Sequence, residues 1–309
     1  MADSSPTIRQ RELGLRLRKL RTGLGLTVED VADKLLCSAA KISRMETGSR
    51  RPALRDVRDL CSLYNVDESA AAELMKLTRD AREQGWWTQY EDLNLYPYIG
   101  LEQDASSITA YSVLYLHGLV QTEDYARTII KAIAPKMDPA IIQQRVEARL
   151  RRQELLEQAS PPNYRLLLDE AALHRPVGGP ALMAAQIAKI LELSAAGKVR
   201  VQLIPFAAGA YSVADISFTL LEFNEPVLPP VVFVEGLVGS PYCERPVDVA
   251  RYRESIENIR DSALSPRESE QRLLEMQKTY AVGATRVVLD TLFSPWTYHG
   301  CITTQNHVI

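Results

Sequence analysis

The sequence predicts a mainly α-helical protein, with an all-α N-terminal domain of five helices and a C-terminal α/β domain that holds a small mixed sheet. Three observations support this prediction. Leucines at helical spacing and successive capping residues fill the first 80 residues. Beyond residue 101, short apolar runs typical of strands alternate with helical segments. The 309 residues are enough for two domains of roughly 100–200 residues each.

The first 80 residues contain start and stop signals for five consecutive helices. The first helix ends at Gly25 and carries leucines at helical spacing, namely Leu13, Leu17, Leu20 and Leu24. Each of the next four helices begins at a residue that caps or opens a helix, namely Thr27, Ser38, Pro52 and Asp67. Asp30 lies at the capping-box position of the second helix, and Gly48 closes the third in a left-handed turn.

The remaining sequence predicts a junction, an α/β domain and a tail. Residues 85–100 are aromatic, so we expect a packed junction in which Trp86 and Trp87 form a core rather than a ligand pocket. Further helices are expected at 101–111, 122–134, 138–158, 180–196, 246–262 and 265–280. Strands are expected at 163–170, 199–206, 216–223 and 230–236, the first two forming a parallel pair joined by a crossover helix.

These patterns divide the chain into four parts. The predicted bounds are 1–84 for the N-terminal domain, 85–100 for the junction, 101–280 for the C-terminal domain and 281–309 for a tail. The tail loses helical periodicity and ends in a polar stretch.

Charge is unevenly distributed along the chain. Residues 1–60 contain 13 Lys and Arg but 8 Asp and Glu, a net charge of +5, while the whole chain has a net charge of −3. The rest of the chain is therefore acidic. A basic N-terminal part is typical of a domain that binds nucleic acid.

The composition also argues against several other classes of protein. No apolar run approaches the ~18 residues of a membrane helix, and the N-terminus has no apolar stretch typical of a secretory signal. The four cysteines are far apart and form no Cys-x-x-Cys pair, so we expect no metal site and no redox motif. We therefore expect a cytoplasmic protein with reduced thiols, no membrane contact and no cofactor.

The second and third predicted helices form a helix-turn-helix unit. A short turn around Leu36 and Cys37 joins them, which is the spacing of that motif. On the third helix, Ile42 and Met45 are predicted to face the second helix. The outward face then carries Ala39, Ala40, Lys41, Ser43 and Arg44.

This outward face fits the major groove of DNA. Small residues let the start of the helix enter the groove, where alanine methyls can contact thymine methyls. Arg44 is long enough for a bidentate contact with guanine. Arg50 and Arg51 follow the helix and are expected to neutralise phosphates. The alternative is an amphipathic helix with a solvated charged face, which the order of all five helices makes less favourable.

Residues 12–77 resemble the Xre-like, phage-repressor type of DNA-binding domain. The segments "LGLRLRKLRTGLGLTVEDVADKL" and "SAAKISRMETGSRRP" carry the resemblance. It implies a buried ion pair between Arg21 and Glu46 that braces the recognition helix. It also implies DNA contacts from Thr27, Val28, Ser38, Ala39, Ala40, Lys41 and Arg44. The family often has Gln where this chain has Val28, which removes one polar contact.

The rest of the chain resembles a group of actinobacterial regulators (WhiJ-like). The segments that carry the resemblance include "WWTQYEDL", "YIGLEQDASSI", "LVQTEDYAR", "RVEARLRRQELL", "LDEAALHRPVGGP" and "VRVQLIPFAAGAY". Their C-terminal domain is of unknown function and is also described as antitoxin-like. Members are often encoded beside a small acidic protein, so the resemblance implies such a partner. The segment "LHGLVQTEDY" departs from the usual Pro-Gly-Leu-Leu-Gln-Thr.

Two clusters in the C-terminal part are candidate sites. Asp169, Glu170, His174 and Arg175 lie close together in "LDEAALHRP", which suits acid–base chemistry, but no nucleophile motif accompanies them and a strand end explains the acids equally well. A second cluster lies on one predicted helical face and consists of Arg145, Arg149 and Arg152. It would bind an acidic partner or pair with the first cluster, although most charge runs are solvated faces.

The function that these features predict is a sequence-specific, dimeric transcriptional regulator without enzymatic activity. It would bind an inverted-repeat site in double-stranded DNA and lie on the nucleoid in the cytoplasm. The C-terminal domain would dimerise, bind the small acidic partner, or both. The alternative is a DNA-tethered small-molecule sensor or enzyme that uses the C-terminal domain.

Overall fold

The computed structural model describes most of the chain as helices around one sheet. It describes residues 8–48, 50–82, 85–90, 96–213, 215–224, 229–236 and 242–293. The helices are α1 (Ile8–Gly23), α2 (Val28–Lys34), α3 (Ala39–Glu46), α4 (Leu54–Leu63), α5 (Glu68–Asp80), α6 (Tyr96–Gln103), α7 (Glu123–Ile133), α8 (Pro139–Gln153), α9 (Ala171–His174), α10 (Pro180–Ala195), α11 (Pro246–Ser262) and α12 (Pro266–Phe293). The strands are β1 (Ser107–Ser112), β2 (Asn163–Asp169), β3 (Arg200–Ile204), β4 (Phe218–Glu222), β5 (Val231–Val234) and β6 (Tyr242–Cys243).

Helices α1 to α5 pack around a small apolar core of their own. Its fully buried members include Leu13 and Leu17 of α1, Ile42 and Met45 of α3, and Leu60 of α4. Each helix contributes an apolar stripe, which is how a bundle of short helices becomes stable in water. The predicted all-α N-terminal part is confirmed.

The other helices pack on a six-stranded mixed sheet with the order β3-β2-β1-β4-β5-β6. Strands β1, β2 and β3 are mutually parallel, and β4, β5 and β6 continue the sheet with antiparallel pairing. The predicted C-terminal α/β architecture and the parallel β2–β3 pair are confirmed. One face of the sheet lies under α6, α7, α10 and α12, and α11 covers the other.

The prediction of a helix over 101–111 is wrong. Helix α6 ends at Gln103, and the segment Ser107–Ser112 forms β1 at the centre of the sheet. Nearly every residue of β1 is buried, because helices cover both faces of the sheet. A strand buried on both faces has no polar alternation, so its period of two is invisible in the sequence.

The prediction that helical structure stops at 280 is also wrong. Helix α12 runs to Phe293, while residues 294–309 of the predicted tail lie outside the described residues. The Tyr280 hydroxyl donates a hydrogen bond to the Leu173 carbonyl at 2.7 Å, which fixes this part of the helix on the domain. Extending an existing helix by one residue has a small cost in free energy, so the helix can continue beyond the last residue that shows a clear apolar periodicity.

A buried polar network joins α6, α8 and the loop after β1. Arg152 donates two hydrogen bonds to the Glu102 carboxylate, at 2.7 and 2.8 Å. Tyr98 donates to Glu102 at 2.8 Å and contacts His117 Nε2 at 3.1 Å, and His117 Nδ1 lies 2.8 Å from the Tyr164 hydroxyl. Burial raises the pKa of Glu102, but the charge and hydrogen bonds of Arg152, together with His117 and Tyr98, outweigh it and hold that pKa below its usual value.

The network makes folding sensitive to mild acid through His117. Burial lowers the pKa of His117 to about 4, whereas in the unfolded chain it is about 6.5. Between these values the unfolded state binds the extra proton, so acid favours unfolding. We expect the free energy of unfolding to fall by about 3 kcal/mol as the pH decreases from 6.5 to 4. Denaturant titrations at several pH values will measure the slope of the unfolding free energy against pH.

Two variants test that the slope comes from His117. His117→Gln should flatten it between pH 6.5 and 4.5, above the range in which ordinary carboxylates take up protons. His174→Gln, which changes a largely exposed histidine, should keep it. A slope that survives in His117→Gln would contradict the prediction.

Candidate nucleic-acid interface

The helix-turn-helix unit is built from two capped helices and a tight turn. Thr27 Oγ1 accepts a hydrogen bond from the Asp30 amide at 3.0 Å, and Asp30 Oδ2 accepts one from the Thr27 amide at 2.8 Å. This reciprocal capping box starts α2. Ser38 caps α3 by accepting a hydrogen bond from the Lys41 amide at 3.2 Å. Between the helices, Leu36 has a φ of 49° and is 95% exposed.

The exposed face of α3 presents a short, mixed set of side chains. Ser38, Ala40, Ser43 and Arg44 are all exposed. The Arg44 Nε donates to the Ala40 carbonyl at 3.2 Å, so the guanidinium lies back along the helix toward its N-terminus. Thr27 at the start of α2 is also exposed. This surface offers hydroxyls, the methyl groups of Thr27 and Ala40, and one guanidinium.

Three of the predicted contact residues have contacts within the domain. Val28 and Ala39 are half-buried and pack against the core of the five helices. Lys41 Nζ donates to Asp56 Oδ1 of α4 at 2.7 Å, an ion pair in which both side chains are partly buried. The exposed face of α3 is therefore narrower than the sequence suggests, because the first turn of the helix also contacts the core and α4.

The basic residues after α3 are close to its C-terminal end. The Arg50 amide donates to the Arg44 carbonyl at 3.0 Å, which ties this segment to the last turn of the helix. The side chains of Arg50 and Arg51 are exposed. Their charges can therefore reach the phosphates of a duplex that receives α3.

A buried ion pair fixes α3 to α1. The Arg21 Nε and Nη2 donate to the two carboxylate oxygens of Glu46 at 2.6 and 2.9 Å, and its Nη1 donates to the Leu26 carbonyl at 2.6 Å. Arg21 is 8% exposed and Glu46 is 6% exposed. The hydrogen bonds to Glu46 raise the pKa of Arg21, so the pair stays charged. One guanidinium thus links the end of α1, the loop before α2 and the last turn of α3.

A close backbone contact, which sequence reasoning missed, holds the same two helices together. A Cβ atom at Gly14 of α1 would lie 2.5 Å from the Glu46 carbonyl oxygen and 2.7 Å from that of Met45. Only glycine therefore allows α1 to approach the last turn of α3 this closely. The Gln10 side chain also donates to the Gly48 carbonyl at 2.9 Å. A glycine inside a leucine-rich helix was the available signal.

The three arginines predicted to share one face of α8 are not all available to a partner. Arg152 is 7% exposed and fully engaged with Glu102, so it is not available to a partner. Arg149 is half-buried and donates to the Gln121 side chain at 2.9 Å. Arg145 is also half-buried. The two acids of the first cluster have other partners, since Glu170 pairs with Arg272 of α12 and Asp169 accepts a hydrogen bond from Tyr211.

The acid–histidine cluster has structural contacts. Glu170 is 4% exposed, and its carboxylate accepts hydrogen bonds from Arg272 at 2.6 and 2.9 Å and from the Phe206 amide at 2.9 Å. Asp169 accepts from the Tyr211 hydroxyl and from the Ala171 amide. His174 is close to Glu170 at 3.4 Å and has a ring contact with Phe206. The two carboxylates of the acid–histidine cluster therefore already connect the end of β2 to α9 and α12.

The aromatic junction packs against the C-terminal part. Trp86 and Trp87 make an edge contact with ring centroids 5.8 Å apart, beside Ile99 and Ala148. The Arg151 guanidinium lies 4.6 Å from the Trp86 ring centroid. These contacts form the small core that the aromatic sequence suggested.

The capped helix pair and its exposed, basic recognition helix define a helix-turn-helix DNA-binding regulator. Residues 12–74 match the family model described as a helix-turn-helix domain. Residues 95–275, more than half of the chain, match the model described as a domain of unknown function (DUF5753), and the chain belongs to that family. No curated protein and no solved structure matches the chain. In its described part, no helix is long and apolar enough to cross a membrane.

Proposed function

We propose that the protein is a sequence-specific transcriptional regulator that inserts α3 into the major groove of DNA. The exposed face of α3 is the observation that supports this most strongly, because its small side chains leave room for base edges. Thr27 and Ser38 lie at two helix N-termini, where backbone amides and hydroxyls can hold phosphates. Arg50 and Arg51 neutralise further phosphates, and Lys41 contributes when its pairing with Asp56 is exchanged for DNA.

Arg44 and Arg51 have different proposed roles, which predicts different effects on binding. Arg44→Ala should cost about 1–3 kcal/mol at the specific site and relax the preference at one base pair. Arg51→Ala should weaken binding to all sequences about equally and reduce the dependence of affinity on salt. Titration of both variants against a selected site and a scrambled duplex, at several salt concentrations, will measure these effects. A uniform loss for both variants would remove Arg44 from base readout.

We further propose that the protein binds DNA as a dimer. A single module of this size buries a small interface on DNA, and two modules gain affinity by reading half-sites about 10 base pairs apart. The operator is then an inverted repeat. Footprinting should protect two symmetric half-sites, and light scattering should give twice the mass of the chain. One asymmetric half-site together with a monomer would contradict this proposal.

The C-terminal domain is proposed to act by binding rather than by chemistry. In this proposal, residues 1–84 bind DNA, 85–100 join the domains, and 101–280 dimerise or bind a small acidic protein encoded nearby. Residues 281–309 form the tail. The antitoxin-like character, the WhiJ-like actinobacterial origin and the place on the cytoplasmic nucleoid belong to the same proposal. It is supported by the engagement of Asp169 and Glu170 in structural contacts, which occupy both carboxylates of the acid–histidine cluster.

A further inference from the structure

Two cations from neighbouring helices converge on the loop that follows β1. Lys189 of α10 donates hydrogen bonds from Nζ to the Gln121 carbonyl at 2.7 Å and to Gln153 Oε1 at 2.6 Å. Arg149 of α8 donates from Nη1 to Gln121 Oε1 at 2.9 Å. Both cations therefore bind one residue, Gln121, through acceptors that carry no charge.

No carboxylate balances these two charges among the described residues. Glu102, the buried acid of this region, is already held by two hydrogen bonds from Arg152. Glu235 attracts Arg149, and Glu192 attracts Lys189, only through space, and neither forms an ion pair with them in the described part of the chain. The result is an excess of positive charge on a domain that is otherwise acidic.

Burial makes this excess charge unfavourable. Burial, followed by the charge of Arg152, lowers the pKa of Arg149 to about 10. Burial also lowers the pKa of Lys189. A cation whose pKa is lowered in this way is stabilised when an anion approaches it. Both residues are only half-buried, so neither is completely closed off from solvent.

We propose that Arg149 and Lys189 together receive a carboxylate side chain from an acidic protein segment. The guanidinium, bound to the side-chain oxygen of Gln121, supplies a planar fork for a carboxylate, and the ammonium, bound to its backbone carbonyl, supplies a point charge. This inference rests on the acidic partner of the proposed function and names the residues that would bind it. These two residues replace the predicted set of three arginines, because Arg152 is already paired with Glu102.

The test measures binding of a labelled hexaglutamate peptide to the full chain at one fixed ionic strength. Wild type should bind hexaglutamate and not hexaglutamine. Arg149→Gln and Lys189→Gln should each weaken hexaglutamate binding about tenfold, as expected for one charge-assisted hydrogen bond. Lys131→Gln, which removes an exposed lysine on α7, is the matched control and should bind as wild type does.

Charge-retaining variants separate binding from folding. Arg149 and Lys189 also hold the loop after β1, so the glutamine variants are first checked for an unchanged melting temperature. Arg149→Lys and Lys189→Arg keep the charge and should retain most of the affinity. Wild type that binds hexaglutamate no better than hexaglutamine overturns the proposal, and this comparison needs no variant.

The outcomes distinguish this site from the proposed function. Hexaglutamate binding that depends on both cations supports the site even if no natural acidic partner is found. A natural acidic partner that binds Arg149→Gln and Lys189→Gln as tightly as wild type overturns the site and leaves the proposed function standing.

Discussion

Replacing Arg21 with methionine is expected to destabilise the helix-turn-helix domain by about 3–5 kcal/mol and to abolish DNA binding. The change leaves the Glu46 carboxylate, which is 6% exposed, without its partner in an apolar setting. It also removes the hydrogen bond to the Leu26 carbonyl. The last turn of α3 would then lose its attachment to α1. Thermal unfolding and a DNA titration of the variant will measure both effects.

Two further variants identify the cause. Arg18→Met changes an exposed arginine of the same helix and should alter stability by less than about 0.5 kcal/mol. Arg21→Met combined with Glu46→Leu removes both charges and should recover much of the lost stability, because no charge is left unpaired. If Arg21→Met alone is as stable as Arg18→Met, the ion pair does not brace the recognition helix.

Replacing Arg152 with methionine should destabilise the C-terminal domain by a similar amount, about 3–5 kcal/mol. Glu102, at 1% exposure, would lose both guanidinium hydrogen bonds and keep the one from Tyr98. Methionine preserves most of the apolar contact of the arginine stem, so the loss of stability is due mainly to removal of the guanidinium charge. Unfolding in denaturant, followed by a probe in the C-terminal domain, will measure it.

The matched control for this prediction is an arginine in a surface pair. Arg127→Met breaks an exposed pair with Glu123 and should cost less than about 1 kcal/mol. Arg152→Met combined with Glu102→Leu should recover stability relative to Arg152→Met alone. A loss in Arg152→Met no larger than in Arg127→Met would contradict a buried ion pair at this position.

The N-terminal domain was predictable in detail because its signals are local. Thr27 and Ser38 cap helices over a span of three residues, and a left-handed turn follows directly from Gly48. The pairing of Arg21 with Glu46 came from resemblance rather than from spacing, since 25 residues separate them. The need for glycine at position 14 depends on how closely α1 and α3 approach, which no local pattern records.

The C-terminal domain was predictable in class but not in several elements. Strand β1 lies at the centre of the sheet, where burial on both faces removes the alternation that identifies most strands. Helix α12 continues past the point where its periodicity fades. The arginines of α8 follow a pattern typical of a solvated or binding face, and the pattern does not report which of them is buried.

The sequence by itself determined the helical bundle, the α/β class of the second domain and the position of the recognition helix. These properties depend on caps, periodicity and turn residues, whose interactions span about four residues along the chain. Only the tertiary structure decided that Arg152 is internal and that Arg149 and Lys189 share Gln121. Those outcomes depend on hydrogen bonds between groups that lie up to 68 residues apart in sequence. Whether a cation is paired or available depends on the burial and charge of the groups that folding places beside it.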